Sequence, residues 1–307
     1  MKRQEFLDYP EVFLRNIHNT FGEQGRQWLD RLPGLLPEAA DKWDLTIGAP
    51  MLLSYNYVTA AQRSDGSAAV LKIGVPNREF TSELCALRFF NGDGCARLLE
   101  ADDQKFMFLL ERLDPGLMLA ELKDDDLRTH IACDVMTHLW RPAPEGQPFI
   151  KLSDWFAELR RLRPRFDGGS GPFPQKLLER VEKLIPELFA SSAPPVLMHG
   201  DFHHFNVLSS GRGWLAIDPK GVIGPPEYEC GPLLMNPIPD LPYRSDAIRQ
   251  TERRIAILEE RLGFPRERIR DWALCHALLS AWWDLREDGT GAEYSLACAS
   301  MLEQAVI

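Results

Sequence analysis

The sequence has no apolar run of the roughly 18–20 residues that a membrane-spanning helix requires. Its first residues include acids and a proline where a secretory signal would carry an apolar core. The 6 cysteines stand singly and form no Cys-x-x-Cys pair, so the sequence indicates neither a disulfide framework nor a thiolate zinc site. We therefore expect a cytoplasmic protein that does not bind membranes and whose cysteines are mostly small core side chains.

Positive charge is scarce as well. The chain has 35 Lys and Arg against 45 Asp and Glu, which gives a net charge of -10. Binders of nucleic acid or anionic membranes need an excess of positive charge, so neither partner is expected. A length of 307 residues and a hydrophobic content of 45% suit one large domain or two lobes, as a monomer or homodimer. An acidic surface favours cationic partners.

Apolar periodicity divides the chain near Pro115 and Gly116. Before them, residues 1 to about 40 read as amphipathic helix broken at Pro33 and Pro37, and "SDGS" at 64–67 is a hairpin turn signal. Strands are predicted at 44–48, 54–62, 68–73, 96–101 and 106–113, with a helix at 77–91. Residues 1–114 are thus predicted to form a small lobe with leading helices and a five-stranded sheet.

The remainder, 115–307, is predicted to be mainly helical. The helices are predicted at 117–140, 152–163, 175–190, 246–263, 267–287 and 292–305, and short strands at 196–198, 207–208 and 215–217. A small β-rich lobe followed by a helical lobe with a buried hairpin is an α+β arrangement typical of protein kinases. We expect a protein-kinase-like bilobal fold.

The stretch "HGDFHHFNVL", which begins at His199, carries the strongest chemical signal. It places Asp201 and Asn206 five residues apart, and Asp218 follows the apolar run "WLAI". Phosphoryl transfer needs a carboxylate that orients the acceptor hydroxyl and takes its proton, and oxygen ligands that hold magnesium. This spacing predicts Asp201 in the first role and Asn206 and Asp218 in the second.

Two upstream residues complete the pattern. Lys72 lies on the predicted strand "AAVLKI", and Glu83 lies beside the apolar stripe of the next helix. A carboxylate in that position needs a cationic partner, which Lys72 would provide while it also contacts nucleotide phosphates. Glu79, one turn earlier, is the alternative partner. An ordinary surface ion pair is the other interpretation of these residues.

"HGDFHHFNVL" together with "IDPKGVIGPPEYECGPLLMNP" closely resembles the aminoglycoside phosphotransferases, in their streptomycin 6-kinase and hydroxyurea kinase branch. The resemblance covers roughly residues 45–283. It implies ATP and Mg²⁺ as cofactors and adenine contacts from the backbone between Glu111 and Leu113. The roles that it implies for the residues named above are a catalytic base (Asp201), magnesium ligands (Asn206, Asp218), a phosphate contact (Lys72) and its partner (Glu83).

The sequence departs from the kinase pattern in two places. It lacks the loop G-x-G-x-x-G, since residues 47–58 contain a single glycine, Gly48. Ser54 and nearby backbone amides are therefore expected to hold phosphate. Lys220 stands in the triplet that follows the hairpin, where it would neutralise charge on the transferred phosphoryl group or pair with Glu227 or Glu229. We expect Glu229 to brace the loop rather than to react.

The histidines of the stretch allow a second interpretation. His199 and His203 are four residues apart, which in a helix would suit zinc, but Gly200 and the β-like "VL" argue against a helix there. We expect His199 to hydrogen-bond the loop backbone. His203 and His204 would line the acceptor side or pack, and a zinc hydrolase is the competing hypothesis.

A cationic, hydroxyl-rich acceptor calls for carboxylates and flat aromatic faces in the helical lobe. The candidates for acceptor binding are His203, Asp240, Trp283 and Asp284, with Trp282, Glu287, Asp288, Asp154, Trp155 and Glu158 beside them. Tryptophans at helical spacing are usually core residues, and acids on helices are usually solvated, so a structural role is the strong alternative for these candidates. The function predicted is an ATP- and magnesium-dependent kinase for a hydroxyl of a streptomycin-type or hydroxyurea-type acceptor. The alternatives are a kinase for another metabolite and a non-catalytic nucleotide-binding protein.

Overall fold

The computed structural model of the chain describes residues 9–288 and 291–307. The α-helices in those ranges are α1 (Glu11–Trp43), α2 (Arg78–Phe90), α3 (Asp125–Leu139), α4 (Leu152–Ala157), α5 (Leu162–Arg165), α6 (Gln175–Ala190), α7 (Cys230–Leu234), α8 (Ala247–Leu262), α9 (Arg266–Asp288) and α10 (Ala292–Gln304). The strands are β1 (Leu45–Pro50), β2 (Asn56–Arg63), β3 (Ala68–Gly74), β4 (Leu98–Asp102), β5 (Met107–Glu111), β6 (Pro115–Met118), β7 (Ile150–Lys151), β8 (Val196–Met198), β9 (Val207–Ser210), β10 (Gly213–Ala216) and β11 (Val222–Gly224). No described helix combines the length and apolar character needed to cross a membrane.

The first five strands form one antiparallel sheet in the order β1-β2-β3-β5-β4, which confirms the five-stranded prediction. Alternation along β3 sends Leu71 and Ile73 to one face, where α1 covers them, and Lys72 to the other. Lys72 is in register with Phe108 of β5, whose ring lies 5.0 Å from that of Phe80 on α2. The sheet is therefore packed between α1 and α2, and Lys72 is on the α2 side.

The predicted breaks in α1 were wrong. Pro33 and Pro37 lie inside the helix, and the chain bends instead at Gly22, whose φ of 54° is readily available to glycine. Each proline removes an amide and disfavours a helix interior. Here Leu32 and Leu35 are buried against the sheet, and that packing outweighs the local preference.

The start of the helical lobe also differs from the prediction. Residues predicted to open a long helix form β6 and a 3₁₀ turn, Leu119–Glu121, and α3 begins only at Asp125 after the side chain of Asp124 caps it. β6 pairs with β9, a partner far along the chain that local periodicity cannot reveal. Similarly, the helix predicted at 152–163 is divided into α4, a 3₁₀ turn and α5. The lobe boundary at residue 114 remains a prediction.

Two small sheets hold the loop that contains the motif, residues 199–206, which we call the HGD loop. It leaves β8, which pairs with β11, and enters β9, which pairs with β10. Gly200 has a φ of +90°, and a Cβ there would lie 2.4 Å from a methyl group of Val222. Since Asp218 follows β10, the pairing of these short strands brings it beside the HGD loop. The strand β11 was not predicted.

Candidate active site

Lys72 and Glu83 form a buried ion pair. The ammonium nitrogen of Lys72 lies 2.7 Å and 2.8 Å from the two carboxylate oxygens of Glu83, and both side chains are almost fully buried. Burial raises the pKa of Glu83, and the charge of Lys72 opposes that effect. Glu79 is exposed, so Glu83 is the partner of Lys72, and the pair is not a surface pair.

Asp218 joins this pair to Lys220. Lys72 donates a hydrogen bond to one carboxylate oxygen of Asp218, and the Lys220 ammonium lies 3.1 Å from the other. Burial alone would raise the pKa of Asp218, but the charges of Lys220 and Lys72 lower it far below its ordinary value. Asp218 also has a left-handed φ of 57°, unusual for a residue other than glycine. An ionised carboxylate thus stands between two cations.

The alternative partners of Lys220 are engaged elsewhere. Glu227 pairs with Arg268 at 2.8 Å. Glu229 accepts a hydrogen bond from the amide of Gly200 at 2.6 Å and another from the indole of Trp140 at 3.1 Å. Glu229 therefore links the C-terminal end of α3 to the HGD loop, which confirms its interpretation as a brace.

His199 is held by the backbone on both sides of its ring. Its Nε2–H donates to the carbonyl of Ile217 at 2.8 Å, and its Nδ1 accepts from the amide of Asp201 at 3.2 Å. Burial lowers its pKa to about 4, so the ring stays neutral near pH 7. The predicted backbone role is confirmed. With both nitrogens occupied, His199 offers no lone pair to the zinc site that the competing hypothesis needs.

Asp201 and Asn206 face each other across the HGD loop. The amide nitrogen of Asn206 donates to the backbone carbonyl of Asp201 at 3.0 Å, which directs its amide oxygen away from that carbonyl. The Asp201 side chain is 38% exposed and therefore open to an acceptor. His203 lies 3.8 Å from this carboxylate and 3.3 Å from the Asn206 amide. Partial desolvation by its surroundings would raise the pKa of Asp201, but nearby positive charge, with Lys220 among its sources, keeps it below its ordinary value.

Magnesium fits this donor set. Mg²⁺ takes few protein oxygens and keeps waters or substrate phosphates as its other ligands. Asp218 supplies an ionised carboxylate already surrounded by cations, and Asn206 supplies an amide oxygen. Among the described residues, no cluster of three or more His, Cys, Asp or Glu side chains resembles a closed metal site. The arrangement suits a phosphate-bound hard cation better than a structural zinc ion.

The residues predicted to contact the nucleotide lie in three different environments. The backbone amide of Glu111 donates to the carbonyl of Arg97, and its side chain accepts from the Arg97 amide and pairs with Arg212, so these groups are already engaged. Leu113 belongs to a small apolar cluster with Ala96 and Leu215, between the two lobes of the chain. Ser54 is exposed in the connection between β1 and β2.

The predicted acceptor residues lie mostly on α9. Trp283 is half-buried and meets the ring of Trp155 at 5.2 Å, whereas Trp282 is buried in the core. Asp284 accepts a hydrogen bond from Ser295 at 3.2 Å. Asp240 is exposed at the start of the 3₁₀ turn Leu241–Tyr243. The other candidates are Asp154, paired with Arg78 at 3.0 Å, Glu158, exposed to an intermediate degree, and Glu287 and Asp288, whose side chains lie outside the described portion of the structure.

Sequence reasoning missed a hydrogen-bonded pair in this region. The hydroxyl of Tyr228 lies 2.8 Å from Nδ1 of His276 on α9, and both side chains are buried. The two residues are 48 positions apart, and no local pattern connects them.

The pKa of Glu229 gives the first prediction. Burial raises it from 4.5 to about 7, so the folded protein keeps a proton that the unfolded chain releases at lower pH. The free energy of unfolding should therefore fall as pH rises from about 4.5 to 7, by on the order of 3 kcal/mol, and then level off. Glu229→Gln cannot titrate, so its slope over this range should be flatter. Urea unfolding at several pH values measures it, with Glu267→Gln, on the exposed first turn of α9, as the charge control. If the free energy of unfolding depended on pH in the same way in wild type and Glu229→Gln, the raised pKa assigned to Glu229 would be refuted.

Comparison with known proteins adds sequence relatives. A family model described as "Aminoglycoside/hydroxyurea antibiotic resistance kinase" matches residues 51–289. A streptomycin 6-kinase from Streptomyces glaucescens is 34% identical over 296 residues, 95% of this chain and 95% of that protein. A hydroxyurea phosphotransferase from Kitasatospora aureofaciens is 34% identical over 289 residues, 92% of this chain and 82% of that protein.

Comparison with solved structures identifies the fold. An aminoglycoside phosphotransferase mutant in complex with ADP and hygromycin B has a TM-score of 0.59 and 16% identity, covering 88% of this chain and 99% of that one. A choline kinase from Streptococcus pneumoniae has a TM-score of 0.61 and 12% identity, covering 90% of this chain and 98% of that one. At such identities the likeness concerns the fold alone, and it confirms the predicted kinase-like bilobal fold.

Proposed function

This chain belongs to the aminoglycoside/hydroxyurea antibiotic resistance kinase family, and from that premise we propose that it transfers the γ-phosphoryl group of ATP to a hydroxyl of a small-molecule acceptor, with magnesium. Membership makes the chain a phosphotransferase. The donor, the metal, the acceptor and the residue roles are the elements that we propose. Residues 1–114 would bind the nucleotide, and residues 115–307 would carry the HGD loop and the acceptor.

The observation that carries the proposal is the convergence of Lys72, Asp218 and Lys220 at the HGD loop. Their charged atoms form one chain of contacts from the buried pair to Asp218. Phosphoryl transfer depends on positioning and on the neutralisation of developing charge, which a fixed set of cations and carboxylates provides. A protein that only bound nucleotide would not need the exposed carboxylate of Asp201 beside this set.

Each residue then has a definite task. Asp201 accepts the proton of the acceptor hydroxyl as its oxygen bonds to the γ-phosphorus and the bond to the ADP oxygen breaks. Lys72, held by Glu83, contacts the phosphates, and Lys220 lies where it would balance the charge of the transferred group. Magnesium held by Asp218 and Asn206 would supply further neutralisation of phosphate charge. His199 and Glu229 keep the HGD loop in shape.

For the acceptor we propose a cationic, polyhydroxylated molecule of the streptomycin type, or hydroxyurea. The named substrates of the two relatives support these choices. The half-exposed indole of Trp283 and the carboxylate of Asp284 give α9 a face suited to such a cation.

Acceptor-stimulated release of ADP tests this function. With Mg–ATP we expect streptomycin or hydroxyurea to raise the rate of ADP release well above the rate without acceptor, and excess EDTA to abolish the increase, because the phosphates lose their metal. A coupled spectrophotometric assay measures it, and mass spectrometry of the acceptor detects the added phosphoryl group. Stimulation only by another sugar or metabolite would indicate a kinase of different specificity. Nucleotide binding without turnover for any acceptor would overturn the proposal.

A further inference from the structure

The hydrogen bond from Tyr228 determines which ring nitrogen of His276 carries the proton. Its hydroxyl is fully buried and has Nδ1 of His276, at 2.8 Å, as its hydrogen-bond partner among the described residues. The phenol proton has no other acceptor there, so the O–H donates and Nδ1 accepts. Burial lowers the pKa of His276 to about 4, and the ring is neutral near pH 7. Its single proton therefore resides on Nε2.

The Nε2–H of His276 is an available donor. It makes no hydrogen bond within the described portion of the chain, and His276 keeps 7% of its surface exposed, so this donor is not fully enclosed. The ring is tied to the HGD loop, because Tyr228 directly precedes Glu229, whose carboxylate holds Gly200. The charge of Asp201 acts on both the His276 ring and the Tyr228 hydroxyl.

His276 lies one helical turn before the accessible face of α9. Within residues 272–285 the side chains are buried except for Ser280, Trp283 and Asp284, which are half-exposed. Counted from His276, these positions are i+4, i+7 and i+8, which share one face of a helix over about 10–12 Å. The rings of Trp283, Trp155, Tyr228 and His276 contact one another in that order. A continuous row of rings, which we call the acceptor wall, thus runs from the half-exposed Trp283 through the buried Trp155 and Tyr228 to His276.

We propose that His276 binds the acceptor, by donating a hydrogen bond from Nε2–H to a hydroxyl oxygen of a polyhydroxylated substrate that lies along the accessible face of α9. This inference rests on the proposed function. It extends the acceptor site from Trp283 and Asp284 to the HGD loop, and it gives Tyr228 a positioning role, since its hydroxyl selects the tautomer that presents the donor.

Two isosteric substitutions test the proposal. The amide of Gln reaches the place of Nε2, and that of Asn reaches the place of Nδ1. His276→Gln should keep the Michaelis constant for streptomycin within about threefold of wild type, whereas His276→Asn should raise it about tenfold, the usual effect of one lost hydrogen bond. The Michaelis constant for ATP should not change in either variant. A purely structural role would reverse the order, because Asn keeps the contact with Tyr228, and that reversal would overturn the proposal.

Isothermal titration of streptomycin into the full chain with Mg–ADP separates this inference from the proposed function. If streptomycin bound His276→Asn more weakly than wild type, but wild type showed no turnover, the role of His276 in binding would stand and the proposed kinase activity would be rejected. Turnover in wild type with equal binding to both variants would reject the inference alone, and so would failure of streptomycin to bind at all. Tyr228→Phe, which removes one oxygen, should also weaken binding and serves if His276→Asn does not fold. Cys275→Ala, a buried neighbour on α9, is the packing control and should bind normally.

Discussion

Replacement of Asp201 with asparagine is expected to lower kcat by about 10²–10⁴-fold, the usual contribution of a positioned general base. The substitution keeps the size of the side chain and removes its ability to take the proton of the acceptor hydroxyl. Because the carboxylate is 38% exposed and the His203 ring beside it lies 3.8 Å away, its loss should leave the fold intact. Steady-state rates of acceptor-dependent ADP release measure the effect.

Two controls make the Asp201 result specific. The dissociation constant for ADP and the melting temperature should match those of wild type, since the nucleotide contacts that we propose are made by other residues. Asp103→Asn alters an exposed carboxylate paired with Arg88 and should retain full activity. An Asp201→Asn variant with wild-type kcat would remove Asp201 from the mechanism.

Asp218→Asn should affect activity and stability together. The neutral amide is a poorer magnesium ligand, and we expect at least about 10³-fold lower kcat/KM for Mg–ATP, roughly 4 kcal/mol of transition-state stabilisation. The substitution also leaves the ammonium groups of Lys72 and Lys220 without the carboxylate between them. Because Asp218 and Lys220 are partly exposed, loss of one partner from this network should cost about 2–4 kcal/mol, less than in a fully buried one, so the melting temperature should fall by on the order of 5 °C.

The comparison with Asp201→Asn gives this experiment its control. Both variants replace an aspartate of the same site with asparagine, yet only Asp218→Asn should reduce the melting temperature. Differential scanning calorimetry and a magnesium titration of activity measure the two effects. If Asp218→Asn retained both the stability and the magnesium dependence of wild type, neither its ion pairs nor its proposed metal role would stand.

The convergence of the candidate site residues was predictable because each of them is tied to a local pattern. Glu83 sits beside the apolar stripe of α2, and the HGD loop has a fixed internal spacing. The acceptor wall was not predictable in the same way. Helical periodicity marks both Trp282 and Trp283 as apolar positions, and only the packing of α9 buries the first and exposes the second.

Long-range contacts account for the other failures. The second half of β6, residues 117 and 118, was predicted as helix because its partner β9 is far along the chain, and pairing across such a distance has no sequence signature. The Tyr228–His276 hydrogen bond was missed for the same reason. In α1, Pro33 and Pro37 indicated breaks that tertiary packing overrides. Local preference is a sound guide where no distant element competes with it.

The adjacency of Tyr228 and Glu229 bears on how such an enzyme would acquire new substrates. Tyr228 hydrogen-bonds His276 and the next residue holds Gly200, so a substitution at Tyr228 would disturb the shape of the HGD loop together with recognition. Trp283 lies about two helical turns from His276 and reaches Tyr228 through the ring of Trp155. Substitutions that change acceptor specificity should therefore accumulate around Trp283. Positions around His276 and Tyr228 should tolerate fewer substitutions, which limits the range of acceptors that such a kinase can evolve to modify.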